Sequence, residues 1–473
     1  MDDSSAIPVK NPFRLGGVRI GARLTEGVFW WRRSFVFAGA CVLVLLGAQG
    51  CEKTSNPAPG VTLTLIDEGW LDKEFQGRRS EELRRFTKES GIPVEVLPAP
   101  ESAEEIVAIW QKLLESGAKV PDVYAVDVVW PGVFADNLLD LKSYVPAPEI
   151  AAHFPQLIPN YTIKGRLVAL PYAINIGLLF YRADLLRRYG YGAPPKTWEE
   201  LESMAARIQR GERARGKKDF WGFVWQGALT ETLTCNALEW QVSEGGGTII
   251  ENGEITVNNP QTVRAWERAA HWIGFISPPG VVEYKAGDAF NVWQAGQTAF
   301  MRNWAEAYPA ARARASAGGE ELGIAPLPGG RAGIAGTVGG HGYGVSLHSL
   351  HPREAAMLVR FLCRRDVQLR SCRHAAEPPT SQELYRDPQV MAANPYFASV
   401  PEVYQKAAAL RPSTAAGRAY PDVSRAYFEA VHSVLTGQKS AARAAAELQG
   451  ALVQITGLKA SATSASAQLK GKN

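Results

Sequence analysis

The sequence predicts an α/β fold in two lobes, each a mostly parallel sheet flanked by helices. Three observations lead there. Strand-like and helix-like segments alternate from Val61 onward, the pattern that gathers parallel strands into one sheet with helices on its faces. About 420 residues follow Cys51, more than one ordinary hydrophobic core accommodates. No solenoid-type repeat offers another way to organise that length.

The elements follow in order. Val61–Ile66 is apolar and β-prone and reads as a strand, bounded by Asp67-Glu68-Gly69. Ser80 to Ser90 reads as a helix stopped by Gly91, and Val94–Leu97 as the next strand. Ala103 to Ser116 carries Ile106, Ile109, Trp110, Leu113 and Leu114 at helical spacing and ends before Gly117. Val123–Val126 is a third strand. Leu167–Leu170 and Leu178–Tyr181 are apolar strand-like runs on either side of Pro171. Thr197 to Glu200 forms a capping box at the start of a helix. Phe220–Trp225, Thr298–Met301 and Glu321–Leu327 read as strands, the last closed by Pro328-Gly329-Gly330. Gly339–Ser346 reads as a glycine-rich strand, Pro352 begins a long helix, and an alanine-rich helix runs from beyond Gly437 to about Gly450.

Residues 1–50 read differently. Arg32 and Arg33 precede 14 uncharged residues, Phe35–Ala48, and small residues lead to Cys51. That run is shorter than the roughly 20 residues a membrane span needs and matches an export signal. Cys51 after Ala48-Gln49-Gly50 predicts lipidation at Cys51, although Ala48 and Gln49 depart from the usual lipobox. Residues 51–60 form a polar tether with two prolines. Arg32–Val36 resembles a twin-arginine motif, so the Sec and twin-arginine routes both stay open. An uncleaved signal anchor is the alternative.

The chain holds 51 basic and 47 acidic residues, of which residues 1–50 carry six and three, leaving the remainder close to neutral. With no dense basic stripe, a nucleic-acid partner is not expected. Beyond Cys51 the cysteines are Cys235, Cys363 and Cys372. Cys363 and Cys372 flank a helical stretch, and a break between them would let them bridge in an oxidising space; three buried thiols are the equal alternative. No Cys/His spacing suggests a metal, and no cofactor is expected.

Six motifs carry a resemblance: Pro121-Asp-Val-Tyr-Ala-Val-Asp-Val-Val-Trp130, Leu170-Pro-Tyr-Ala-Ile-Asn-Ile-Gly-Leu-Leu-Phe-Tyr-Arg182, Trp225-Gln-Gly227 with Leu233-Thr-Cys-Asn236, Ala299-Phe-Met-Arg-Asn-Trp304, Gly339-Gly-His-Gly-Tyr-Gly-Val-Ser346, and Arg411-Pro-Ser-Thr414 followed by Tyr420-Pro-Asp-Val-Ser424. In this order, from about Val61 to Leu452, the chain resembles the extracellular sugar-binding proteins of ABC importers, which include maltose- and trehalose-binding proteins. The resemblance implies a class II periplasmic binding fold with hinged crossover segments. One lobe would be 61–174 plus 329–378 and the other 175–328 plus 379–459, with 460–473 a disordered tail. Ligand would be captured as the lobes close.

A sugar offers C–H faces to aromatic rings and hydroxyls to planar polar groups. By the resemblance Trp304 is the stacking platform, with a core tryptophan as the alternative among 13 tryptophans. Asp127, just past an apolar strand, matches the hydroxyl-binding acid; it also suits a helix cap. Asn175 lies at the lobe crossing, and Arg411 has a guanidinium fork suited to paired hydroxyls. Glu68, Gly340 and Tyr343 are further candidates, with Gln226 and Glu231 weaker ones. His341 departs from the family, which often carries tryptophan in the Gly-Gly-x position, and brings a group that titrates near neutrality.

The expected function is capture and delivery: a monomeric, exported, lipid-anchored binding protein takes a disaccharide or short oligosaccharide, trehalose- or maltose-like, and docks on an ABC permease. No catalysis is expected. An exported glycosidase would need two carboxylates across a cleft, and no pair stands out by motif. A sensor or scaffold lipoprotein of the same fold is the third reading. The linkage of the sugar, and whether His341 shifts the ligand towards a polyol or phosphorylated compound, are open.

Overall fold

The computed structural model describes residues 60–67, 73–100, 103–375, 377–398 and 400–461. The export segment, Cys51, Glu68 and the end of the tail lie outside the described residues.

Nine strands join in one sheet: β1 (Leu63–Ile66), β2 (Val94–Leu97), β3 (Val123–Asp127), β4 (Leu170–Arg182), β5 (Trp221–Val224), β6 (Thr298–Trp304), β7 (Leu322–Pro326), β8 (Gly336–Val345) and β9 (Ala408–Ala409). Their order is β2-β1-β3-β8-β4-β6-β5, with β7 also on β4 and β9 on β8. Parallel pairing holds for β1 with β2 and β3, and for β5 with β6. The long strands β4 and β8 run antiparallel to their main neighbours, so the sheet as a whole is mixed. Strand β4 serves both halves. Residues from Leu170 to Ile176 pair with β8, and residues from Gly177 to Arg182 pair with β6 and β7.

Two readings of the sequence are corrected here. Leu170 and Leu178 belong to one continuous strand that includes Pro171. Proline is tolerated because it stands opposite Gly342, where the register shifts after His341; a missing N–H matters least at such an irregularity. Strand β6 runs to Trp304 instead of ending at Met301, so Trp304 is held by ladder bonds opposite Gly177.

The apolar runs are covered on both faces. Ile176, Leu178 and Phe180 of β4 enter a cluster with Val224, Met301 and Phe397, while Leu179 enters another with Phe223, Trp240, Trp272 and Tyr427. That alternation follows from the two-residue period of a strand, and burial on both sides explains why the segment reads as unbroken hydrophobic sequence. A third cluster gathers Leu63, Leu65, Trp110, Val123, Tyr124, Val126, Val345 and Leu358 around β1, β3 and β8.

Helix α1 (Lys73–Ser90) begins about two turns before Ser80. Helix α2 (Ala103–Glu115) buries Ile106, Trp110 and Leu114, but Ile109 turns outward at 42% exposure. Helix α3 (Trp198–Ala214) has the Thr197 cap: the Glu200 N–H donates to Thr197 Oγ1 at 3.2 Å. The Glu200 carboxylate reaches past Thr197 to accept from the Lys196 N–H at 2.7 Å. The alanine-rich helix Ala441–Thr456 passes Gly450, where nothing crowds the backbone, and ends at Gly457 in a left-handed conformation, φ 69°. Beyond it Ala460 pairs with Ile255, so the chain is still ordered there. Among the described residues no helix is long and apolar enough to cross a membrane.

The bridge between Cys363 and Cys372 is not formed. Both are buried free thiols: Cys363 Sγ lies 3.4 Å from the Leu170 carbonyl oxygen, and Cys372 Sγ lies 3.3 Å from that of Glu377. Each thiol thus has its own acceptor on a different part of the fold, and burial raises the pKa of both.

His153 is buried with Nδ1 2.7 Å from Thr380 Oγ1, and burial pushes its pKa down to about 4. Below about pH 6.5 the unfolded chain gains a proton that the folded chain refuses until about pH 4. Stability therefore falls as pH is lowered, by about 3 kcal/mol across this interval. Urea unfolding of wild type and His153→Gln at pH 7 and pH 4.5 checks this: the wild type should lose more stability. Equal losses would remove His153 as the source. Thr197→Ala should cost about 1 kcal/mol in the same assay at pH 7.

Candidate functional site

The central strand β8 forms the floor of the site, and successive residues along it meet different side chains. The Val338 carbonyl accepts from Arg411 Nη2 at 3.1 Å. A Cβ on Gly339 would lie 3.3 Å from the Trp304 ring and 3.3 Å from Asn175 Cβ. Gly340 has φ +131°, and a Cβ there would lie 2.4 Å from the Ala173 carbonyl oxygen; its own carbonyl accepts from the Val128 N–H. Glycine is required at Gly340 for both reasons, and this residue offers only backbone to the site. His341 lies opposite Asp127 in the ladder, with Nδ1 4.0 Å from Asp127 Oδ2.

Asp127 ends β3. Its Oδ1 accepts from the Val129 N–H at 3.0 Å, turning the chain towards the short helix at Pro131–Phe134. The carboxylate stays partly open, with 22% of its side chain exposed, and Arg411 Nη2 is 3.8 Å away. Asp127 does not cap that helix, whose cap position is Trp130; it holds the turn before it and presents a carboxylate.

Arg411 is nearly buried. Its Nη1 donates to Glu231 Oε1 at 2.8 Å. Burial alone would lower its pKa, but the carboxylates of Glu231 and Asp127 raise it, so the guanidinium stays charged. Glu231 opens helix α4 (Glu231–Glu244) and collects two more donors from the start of helix α5 (Tyr420–Leu435). These are the Tyr420 hydroxyl and Ser424 Oγ, the latter at 2.5 Å. Burial and the adjacent Glu231 raise the Tyr420 pKa, which keeps the phenol a donor. Asp127, Trp130, Glu231, Tyr420, Ser424 and Phe428 line a cavity of about 450 Å³ reaching towards helix α2.

On the other side of β8, Trp304 keeps partial exposure and lies against Arg302, whose Cζ is 4.1 Å from the ring centroid. Arg302 is fully buried and donates to Glu239 through Nε at 3.0 Å and Nη2 at 2.5 Å. Its Nη1 reaches Gln226 Oε1 at 3.3 Å, and Gln226 Nε2 returns a bond to the Arg302 carbonyl at 2.7 Å. Asn175 anchors the turn after Trp304. Its Oδ1 accepts from the Ala305 N–H at 3.1 Å, and its Nδ2 donates to Glu306 Oε2 at 2.9 Å.

Of the residues singled out from sequence, Asp127, Asn175, Trp304, Gly340, His341 and Arg411 converge on this seam. Tyr343 does not. It is fully buried, donates to Asp67 Oδ2 at 2.6 Å and stacks on Tyr172 at 4.6 Å. It shares its face of β8 with His341, two residues before it, but Tyr172 and Arg79 cover its ring, the Arg79 guanidinium lying 5.3 Å away. Sequence reasoning overlooked Glu239 and Arg302. An arginine inside the apolar run Thr298–Trp304 was the available signal, because a buried guanidinium requires a carboxylate. Tyr420 and Ser424 left a fainter one, four residues apart on one helical face. Among the described residues no group of three or more His, Cys, Asp or Glu is arranged to hold a metal.

Comparison with known proteins identifies the family and the fold. The family described as bacterial extracellular solute-binding protein matches residues 83–398. A probable ABC transporter-binding protein of Deinococcus radiodurans is 44% identical over 419 residues, covering 87% of this chain and 98% of its own. The solved structure of maltose-bound T. maritima MalE3 is 32% identical, with a TM-score of 0.75 over 84% of this chain and 100% of its own. The GacH receptor of Streptomyces glaucescens shares the fold at 24% identity and a TM-score of 0.73, over 84% of this chain and 98% of its own. The family match over residues 83–398 and the D. radiodurans relative show that the chain belongs to the bacterial extracellular solute-binding proteins.

Proposed function

We propose that this protein captures a neutral disaccharide or short oligosaccharide, maltose- or trehalose-like, between its lobes and delivers it to the permease of an ABC importer. The observation that carries the reading is Trp304, a partly exposed ring on a fixed bed beside polar groups whose charges are already matched. An aromatic ring gives the C–H face of a sugar an apolar surface, and the nearby Asp127 carboxylate and His341 imidazole suit hydroxyls. Glu231 is matched by Arg411, and Glu239 by Arg302. A charged ligand would add an uncompensated charge to this seam, which favours a neutral one over a phosphorylated one. The maltose bound by the T. maritima protein supports the ligand class, and the name of the D. radiodurans relative supports the transporter role.

In this reading residues 61–174 and 329–378 make one lobe and 175–328 and 379–459 the other, and closure completes the contact set. The protein works as a monomer, without covalent chemistry. A lipid on Cys51 holds it at the outer face of the cell membrane, beside the permease it serves.

Thermal unfolding with maltose, trehalose and maltotriose tests the ligand class. A sugar at a hundred times its Kd should add about 2.7 kcal/mol of stability. It should also be recovered unchanged by chromatography, and release of glucose would replace the binding reading with hydrolysis. Trp304→Ala should weaken that sugar roughly 10- to 100-fold by calorimetry; unchanged affinity would remove Trp304 from the site. Glu231→Leu should lower unfolding stability by about 2–4 kcal/mol by leaving Arg411 buried without its main partner, and Glu231→Gln by clearly less.

A further inference from the structure

We infer that the buried Arg302–Glu239 ion pair is a positioning device for Trp304, fixing the plane of the ring before any ligand arrives. The inference deepens the reading of Trp304 as a sugar platform and rests on it for the ligand-binding part of the test.

The pair lies under the seam at a place where two strands leave unusual room. Gly177 of β4 stands opposite Trp304 of β6, and a Cβ on Gly177 would lie 2.0 Å from Glu239 Oε1 and 2.5 Å from Arg302 Nη2. Glycine at this register position therefore opens the volume that the two charged groups fill. Glu239 comes from the third turn of helix α4, and its Oε1 also accepts from the Thr337 N–H at 3.2 Å. It is thereby tied to the floor strand β8 as well as to β6. Gln226 grips Arg302 at both its side chain and its carbonyl, and Asn236 Nδ2 donates to Gln226 Oε1 at 3.0 Å. Every polar atom of the Arg302 fork is thus bonded to a group fixed by another element.

The consequence falls on Trp304. The planar guanidinium covers one face of the ring, so stacking and cation–π attraction both favour one tilt. The ring's remaining exposure then belongs to the side and edge that Arg302 leaves open. Gly339 keeps that edge clear, because a side chain there would press on the ring and on Asn175. A buried ion pair is a weak source of stability compared with apolar residues of similar size, whereas two crossed charged groups with fixed bonds define an orientation. The pair also shows no opening by which a ligand could reach it, with Glu239 fully buried and Arg302 1% exposed. Its effect on binding must pass through Trp304.

The test uses the whole exported chain labelled with 5-fluorotryptophan, with the Trp304 fluorine line identified by its loss in Trp304→Phe. Replacing both partners, Arg302→Met with Glu239→Leu, removes the pair without stranding a charge. Without any sugar, the Trp304 line should shift or broaden while most other tryptophan lines stay in place; an unmoved Trp304 line overturns the inference. Arg302→Lys, which keeps the charge and loses the stacking plane, should also move the line and serves if the double variant fails to fold. Titration with maltose separates this inference from the sugar reading. The double variant should bind about 10-fold more weakly than wild type, and should add no loss in a Trp304→Ala background. An equal loss in both backgrounds would mean the pair acts independently of Trp304. If maltose does not bind the wild type, the sugar reading loses its support, and the fluorine line still decides the positioning role.

Discussion

One strand has to hydrogen-bond to two different neighbourhoods. The first half of β4 belongs to β8 and the second half to β6 and β7, and the change falls between Ile176 and Gly177. Everything at the seam is placed relative to that handover. Asn175 stands just before it and holds the turn after Trp304. Gly177 stands just after it and leaves space for the buried charges. Because the strand is continuous, the two halves of the sheet cannot slide past each other along it without breaking ladder bonds.

Glu239, Glu231 and Asp127 each face a guanidinium, and they are held to different degrees. Glu239, with no exposure, holds Arg302 through two bonds and takes a backbone N–H. Glu231, partly open, takes Arg411, Tyr420 and Ser424 from separate segments. Asp127, the most loosely held, faces Arg411 and His341 only at about 4 Å. Of the three, Asp127 therefore has the weakest ion pairing.

Much of the scaffold was legible from residues alone, because its signals are local. The alternation of strands and helices, the Thr197 cap and the apolar faces of α2 all follow from short-range patterns. The misreadings have physical causes. Pro171 ordinarily ends a strand and does not here, because the register shift that accommodates it lies on β8, some 170 residues away in sequence. Tyr343 belongs to the same motif as His341 and lies on the same face of its strand, but Tyr172, Arg79 and Asp67, which bury it, come from distant parts of the chain. The Cys363–Cys372 spacing left a bridge open, and the carbonyl partners that occupy the two sulfurs come from other parts of the fold. At the site itself, aromatic and acidic candidates were visible as types. Glu239 and Arg302 became visible only through the fold that brings them together.

The floor strand has a consequence for how this seam can vary. Gly339, Gly340, Gly342 and Gly344 each meet neighbouring atoms within 3.3 Å of where a Cβ would be, and Tyr343 is sealed in the interior. From Gly339 to Gly344, His341 alone combines a side chain with an outlook on the seam. The strand thus behaves as a bare rail with a single peg. A different shape or polarity can be fitted at that peg while the backbone beneath it keeps its course, and any larger change must hang from the strands and helices alongside.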